Sequence, residues 1–106
     1  MPAHQRDEIA ENSYRKLIEL NPRESAYYYN LGLFFKTRGR FEEGMKSNQT
    51  AVSLADEEVD SYEWNLGICA TGAGNGAVAL DVWKRMGKKL RWVGLGYPKA
   101  LIPNAR

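Results

Sequence analysis

The chain has 106 residues, of which 43% are hydrophobic and 26% charged, a length and composition that fit one small domain and exclude a second independent core. One cysteine, Cys69, and one histidine, His4, exclude a disulfide framework within the chain and a zinc site built from its cysteines and histidines alone. No apolar run reaches the roughly 20 residues that span a bilayer, and no signal-peptide pattern opens the chain, so we expect a cytoplasmic protein with no membrane contact.

The formal net charge of +2 conceals an uneven distribution of charge along the chain. Residues 1–83 carry 8 basic and 13 acidic residues, a net charge of −5, whereas residues 84–106 carry 7 basic and no acidic residues. The C-terminal end is therefore strongly basic, and its aromatic residues raise the alternative of nucleic-acid binding.

Apolar periodicity and turn signals predict five helices. The first spans residues 7–20 and ends at Asn21-Pro22, because a proline and the residue before it both disfavour a helix. The next four span residues 25–38, 41–54, 60–72 and 76–89. Connections this short require consecutive helices to run antiparallel, so the sequence predicts an all-α stack of helical hairpins. Glycines and Pro98 predict a non-helical tail over residues 92–106, which we expect to fold back as a cap on the stack.

An Asn-Leu-Gly motif occurs twice, 35 residues apart, and each copy is followed seven residues after its glycine by a second glycine that predicts a turn. The residues are Asn30-Leu31-Gly32 with Gly39, and Asn65-Leu66-Gly67 with Gly74. Since a residue without a side chain lets two helices approach closely, Gly32 and Gly67 are predicted to lie where the two helices of each hairpin pack together.

These motifs resemble the tetratricopeptide repeat, a helix-turn-helix unit of 34 residues. The resemblance covers about 80 residues as a half repeat at 7–22 and repeats at 25–58 and 60–89, within a domain of residues 1–91. It implies a short right-handed α-solenoid followed by the basic tail. The positions that would hold the repeats together are Leu31, Gly32, Gly39, Ala51, Leu66, Gly67, Gly74, Ala79 and Trp83. The sequence departs from the family pattern at Gly44, Asn48, Glu63, Ala70 and Met86.

In that family the first helix of each repeat lines a concave groove, and the register of the resemblance places eight residues there. They are Tyr29, Asn30, Leu33, Lys36, Trp64, Asn65, Ile68 and Thr71. Residues three and four apart share one face of a helix, which agrees with this grouping. The alternative is that Tyr29 and Trp64 are core residues. An aromatic groove that carries amides suits an extended apolar peptide or a helix.

We therefore expect a non-catalytic module that binds another protein or peptide and needs no cofactor or metal. Catalysis is disfavoured because Cys69 has no neighbouring base in the sequence, and the glycine-rich string 72–77 is interpreted as an inter-helix turn and not as a nucleotide site. The 35-residue spacing also fits the pentatricopeptide repeat, a helical hairpin that reads RNA, but the repeated Asn-Leu-Gly motif, Pro22 and the net negative charge of residues 1–83 disfavour this alternative. RNA binding through the basic tail and self-association through the unpaired first helix remain alternatives.

Overall fold

The computed structural model describes the backbone of residues 1–92 and the side chains of residues 1–88. The helices are α1 (Ala3–Leu20), α2 (Ser25–Thr37), α3 (Phe41–Leu54), α4 (Asp60–Gly72) and α5 (Gly76–Trp92). No strand is present in residues 1–92, so the all-α prediction is confirmed. Helix α1 begins four residues earlier than predicted and α5 ends three residues later. The predicted tail after Trp92 lies outside the described residues.

The turns that end α2 and α4 have the same geometry. Gly39 and Gly74 have φ angles of 72° and 74°, in the left-handed region that glycine adopts without a steric penalty. In both turns the amide of the residue after the glycine bonds to a carbonyl in the last turn of the preceding helix, which satisfies one of its free acceptors. These bonds are Arg40 N–H to Phe35 O and Asn75 N–H to Ala70 O, each 2.9 Å. The two predicted repeats therefore close their hairpins identically.

Each helix packs against its neighbours in the chain, and α2 also contacts α4. The hairpins α2–α3 and α4–α5 are thus stacked with their first helices side by side, as the predicted hairpin stack requires. This arrangement brings the face of α2 and the face of α4 that carry the predicted groove residues next to each other.

The core consists of two clusters of buried side chains. The larger one joins α3, α4 and α5 and contains Met45, Leu66, Cys69, Ala70, Ala79, Val82 and Trp83. The smaller one contains Leu31, Phe34 and Phe35 of α2, against which the partly buried Ala10, Tyr14 and Ile18 of α1 pack. No residue of α1 is itself buried, so this helix is the most loosely packed of the stack.

Ion pairs fasten α1 to the turn between α2 and α3. Arg40 contacts Glu11 at 2.6 Å, and Arg38 contacts Asp7 at 2.9 Å. The Arg40 guanidinium also lies over the ring of Phe35, with 4.5 Å from its carbon to the ring centroid. Hydrogen bonding to Arg40 holds the pKa of the Glu11 carboxyl below its ordinary value of 4.5. Glu11 therefore favours the folded state whenever it is ionised.

We expect Glu11→Gln to lower the free energy of unfolding at about pH 7 by roughly 1 kcal/mol or less, since this pair is partly exposed. The pKa of Glu11 is lower in the folded than in the unfolded chain, so its contribution is lost as the pH falls below 4.5. Urea unfolding should therefore show a difference between wild type and variant at about pH 7 that becomes smaller as the pH is lowered below 4.5. Glu8→Gln, an exposed carboxylate of the same helix, is the control. A difference that stays constant with pH would show that the ion pair is not its source.

Candidate functional site

Three of the predicted groove residues meet where α2 contacts α4. The Asn65 side chain accepts a hydrogen bond from Lys36 Nζ at 2.7 Å and donates from Nδ2 to the Tyr29 hydroxyl at 3.2 Å. The same Nδ2 donates to the Ser61 carbonyl of its own helix at 2.9 Å. The amide of Asn65 thus links α2 to α4, and we call Tyr29, Lys36 and Asn65 the Asn65 cluster.

The expectation that Asn65 is open to a partner needs correction. Only 5% of Asn65 is exposed, because the hydrogen bonds to α2 draw its amide into the contact between the two helices. Its counterpart in the first repeat, Asn30, is exposed on α2. Asn65 therefore positions its neighbours, and the surface that a partner could touch is provided by the side chains around it.

Tyr62 belongs to this contact, although the sequence analysis did not place it among the groove residues. Its ring lies 4.7 Å from that of Tyr29, measured between centroids, and its hydroxyl is 3.5 Å from Ser25 Oγ. Tyr62 precedes Asn65 by three residues and so shares its side of α4. That spacing is the signal that could have identified it.

Trp64 is a large exposed side chain beside the Asn65 cluster. It is 36% exposed, and its ring meets that of Trp83 edge to face, with 5.6 Å between centroids. The alternative that Trp64 is a core residue therefore does not describe this position. Trp83, only 5% exposed, is held in turn by a 3.2 Å hydrogen bond from its Nε1 to Thr71 Oγ1. The buried, hydrogen-bonded ring of Trp83 therefore supports the exposed ring of Trp64.

The remaining predicted groove residues extend this surface. Leu33 is half-buried on α2, and Ile68 is half-buried against the α3–α5 cluster. Thr71 is exposed, and its hydroxyl donates to the Gly67 carbonyl at 2.8 Å while it receives the Trp83 hydrogen bond. Leu33 and Ile68 thus add apolar side chains on α2 and on α4, whereas Asn30 and Thr71 add exposed polar ones.

The predicted repeat positions lie where helices approach closely. A Cβ atom at Gly32 would stand 2.4 Å from Asn48 Nδ2, and one at Gly67 would stand 2.5 Å from the Trp83 ring. Ala51 and Ala79 are buried, as are the two leucines of the repeated motif, Leu31 and Leu66. The side chains opposite the two glycines, Asn48 and Trp83, occupy the space that a larger residue would need.

Asn48 is a buried polar residue in the position where the resembled family usually has an aromatic one. Its Nδ2 donates to the Gly44 carbonyl at 2.8 Å and lies 3.9 Å from Cys69 Sγ, and its Oδ1 has no partner among the described residues. Burial raises the pKa of the Cys69 thiol, which favours the protonated and less nucleophilic form. The surroundings of Cys69 are therefore those of a packed core.

Comparison with models of known protein families and with curated proteins finds no match. Within the described part of the chain, no helix combines the length and the apolar character needed to cross a membrane. The same residues contain no group of three or more histidine, cysteine or acidic side chains that could hold a metal ion.

We expect Gly67→Ala to destabilise the fold by about 1 to 3 kcal/mol, because the new Cβ would collide with the Trp83 ring. The loss should appear although alanine favours a helix by about 1 kcal/mol over glycine. Gly76→Ala is the matched control, since a Cβ there would meet nothing within 4 Å. Urea midpoints of both variants measure the effect. Equal midpoints for Gly67→Ala and wild type would show that this contact does not set the helix spacing.

Proposed function

We propose that this chain is a tetratricopeptide-type helical-repeat module of the cytoplasm that binds another protein or a peptide along the face formed by α2 and α4, without catalysis. The observation that carries the proposal is Trp64, an exposed indole supported edge to face by Trp83 and adjacent in sequence to the Asn65 cluster. We call the surface formed by Tyr29, Leu33, Lys36, Trp64 and Ile68 the α2–α4 face.

The repeat architecture supports this proposal through two features of the hairpins. Both end their first helix in the same glycine turn, at Gly39 and Gly74. Their first helices lie in contact, so the exposed side chains of α2 and α4 are close enough for one partner to cover both helices. Stacked helical hairpins use such extended surfaces for binding.

Trp64 supports binding because its exposed ring is apolar surface that a partner can cover. An exposed indole leaves apolar area in contact with water, and a partner that covers it regains that free energy. Central aromatic residues dominate the energetics of many interfaces, above all when neighbouring side chains hold them rigid. Trp83 provides that support from within the core.

Catalysis finds less support than binding in the described residues. The Cys69 thiol is buried with a raised pKa, and its polar neighbour Asn48 is not a base. His4 lies in the exposed first turns of α1.

RNA binding through the basic C-terminal end also finds less support at Arg85. This side chain is paired with Glu63 at 2.7 Å and also with Asp81. That pairing offsets part of the positive charge that Arg85 would offer to a phosphate.

Self-association is a second candidate, favoured by the outer face of α1. Ile9, Leu17 and Leu20 are 50%, 40% and 74% exposed on that helix. A helix inside a stack is covered on both sides, and among the described residues α1 packs only against α2 and the turn that follows it. A second copy could therefore cover these residues.

To test binding, peptides selected from a displayed random library on the wild-type chain should lose about thirtyfold in affinity for Trp64→Ala, as a central aromatic of about 2 kcal/mol requires. The free energy of unfolding should also fall, by about 1 to 3 kcal/mol, because Trp64 is 36% exposed and the variant loses its covered apolar area as well as its edge-to-face contact with Trp83. Affinities are therefore compared at a temperature where both chains are folded. Leu20→Ala, on the far side of α1, is the matched control for both measurements. Binding that is unchanged in Trp64→Ala would place the interaction elsewhere.

The self-association alternative is tested by sedimentation velocity over a wide range of concentrations. Under the binding proposal the wild-type chain keeps the mass of a monomer of 12.0 kDa. A mass that rises with concentration, and returns to that of the monomer in Leu17→Ser/Leu20→Ser, would favour self-association through α1.

A further inference from the structure

Two cationic side chains are half-buried among residues 1–88, Lys36 and Arg40, and their surroundings differ. Arg40 contacts two carboxylates, Glu11 at 2.6 Å and Glu43 at 2.8 Å. The Lys36 ammonium instead hydrogen bonds to the neutral oxygen of Asn65 at 2.7 Å. No carboxylate of the described residues lies within 4.0 Å of it. Of the two half-buried cations, Arg40 is therefore paired with carboxylates, whereas Lys36 has no carboxylate partner among the described residues.

A partly desolvated charge is unfavourable unless an opposite charge compensates for it. A lysine ammonium has three N–H donors, and the bond to Asn65 uses one of them. Because Asn65 is also bonded to Tyr29 and to the Ser61 carbonyl, the position of its oxygen is fixed. The ammonium is therefore held at one place on the α2–α4 face with donors to spare.

We infer that the α2–α4 face binds an extended segment of a partner whose aspartate or glutamate side chain pairs with Lys36. This inference rests on the proposed function and specifies the chemistry of the partner. Charge complementarity is its basis, since a carboxylate would supply the counter-ion that the described residues do not. It would accept the remaining N–H donors in charge-assisted hydrogen bonds.

Apolar side chains neighbour Lys36 along α2 and its partner Asn65 along α4, which favours an acidic residue inside the segment over the terminal carboxylate of a chain. Leu33 lies one turn before Lys36 on α2, and Trp64 and Ile68 lie beside Asn65 on α4. A segment that continues past its acidic residue can cover Leu33 on one side and Trp64 on the other. The expected recognition pattern is therefore an acidic residue next to a large apolar residue.

The test uses a displayed library of random peptides of about ten residues, which extend to roughly 33 Å and so exceed the length of α4. Each peptide is fused at its C terminus, so that only side chains offer carboxylates. Selection is carried out on the wild-type chain, on Lys36→Met and on Lys46→Met. Lys46 is the matched control because it lies on α3 with its side chain 69% exposed. The wild type and Lys46→Met should both enrich an acidic residue beside an apolar one, whereas Lys36→Met should enrich the apolar residue alone.

A second measurement changes the peptide as well as the protein. A synthetic peptide from the wild-type selection, with its acidic residue or with the corresponding amide, is titrated into the wild-type chain. We expect the amide peptide to bind about tenfold more weakly, a difference that disappears for Lys36→Met or Lys36→Gln. The same peptide with a free or an amidated C terminus shows whether a terminal carboxylate can substitute for the side chain.

Different outcomes overturn the two proposals separately. Selected peptides that lack an acidic residue, or that keep it on Lys36→Met, overturn the assignment of Lys36 and leave binding at the face intact. If peptide affinity depends only on a free C terminus, the proposal that an internal acidic residue pairs with Lys36 is wrong. If a wild-type chain that unfolds cooperatively enriches no peptide at all, the proposed function fails and this inference fails with it.

Discussion

The close approach of paired helices at Gly32 and Gly67 is the constraint on which the other features of the structure depend. At each glycine the opposite helix places a large side chain, Asn48 or Trp83, in the space that a Cβ atom would occupy. Packing at crystal-like density means that an added methyl group must displace its neighbours. The distance between the two helices of each hairpin therefore depends on the glycine having no side chain. The two hairpins stack with α2 in contact with α4, where the amide of Asn65 reaches Tyr29 and Lys36.

The chemistry of the α2–α4 face follows from how its polar groups are satisfied. Asn65 uses both its donor and its acceptor within the protein, so it contributes rigidity and little surface. Lys36 is only partly satisfied, and Trp64 is only partly covered. A surface with one fixed cation and one supported indole offers two recognition points of different kinds, which gives selectivity through the distance between them. This combination is why we favour binding over a purely structural role for the face.

Helix boundaries were predictable because local signals define them. Asn21-Pro22 ends α1, and Gly39 and Gly74 provide the left-handed residues that end hairpin turns. The start of α1 was predicted four residues too late because residues 3–6 carry no apolar periodicity. The exposure of individual groove residues could not be predicted from register. Asn30 and Asn65 hold the same position in their repeats, but Asn65 faces α2 across the hairpin stack, whereas in the described chain no first helix of an earlier repeat lies beside Asn30. Sequence gives the position in a repeat, and the neighbouring repeat decides what that position contacts.

The division of the core into two clusters has a consequence for how the molecule opens. The cluster of α1 and α2 contains three buried residues, and α1 adds only partly buried ones, whereas the other cluster joins three helices. In arrays where each unit contacts only its neighbours, stability is close to a sum of local terms, and an end unit with few contacts detaches first. Release of α1 would uncover Leu31, Phe34 and Phe35 while α3, α4 and α5 remain folded. Backbone amides of α1 would then exchange with solvent through a partial opening of low free energy, and those of α4 only through global unfolding.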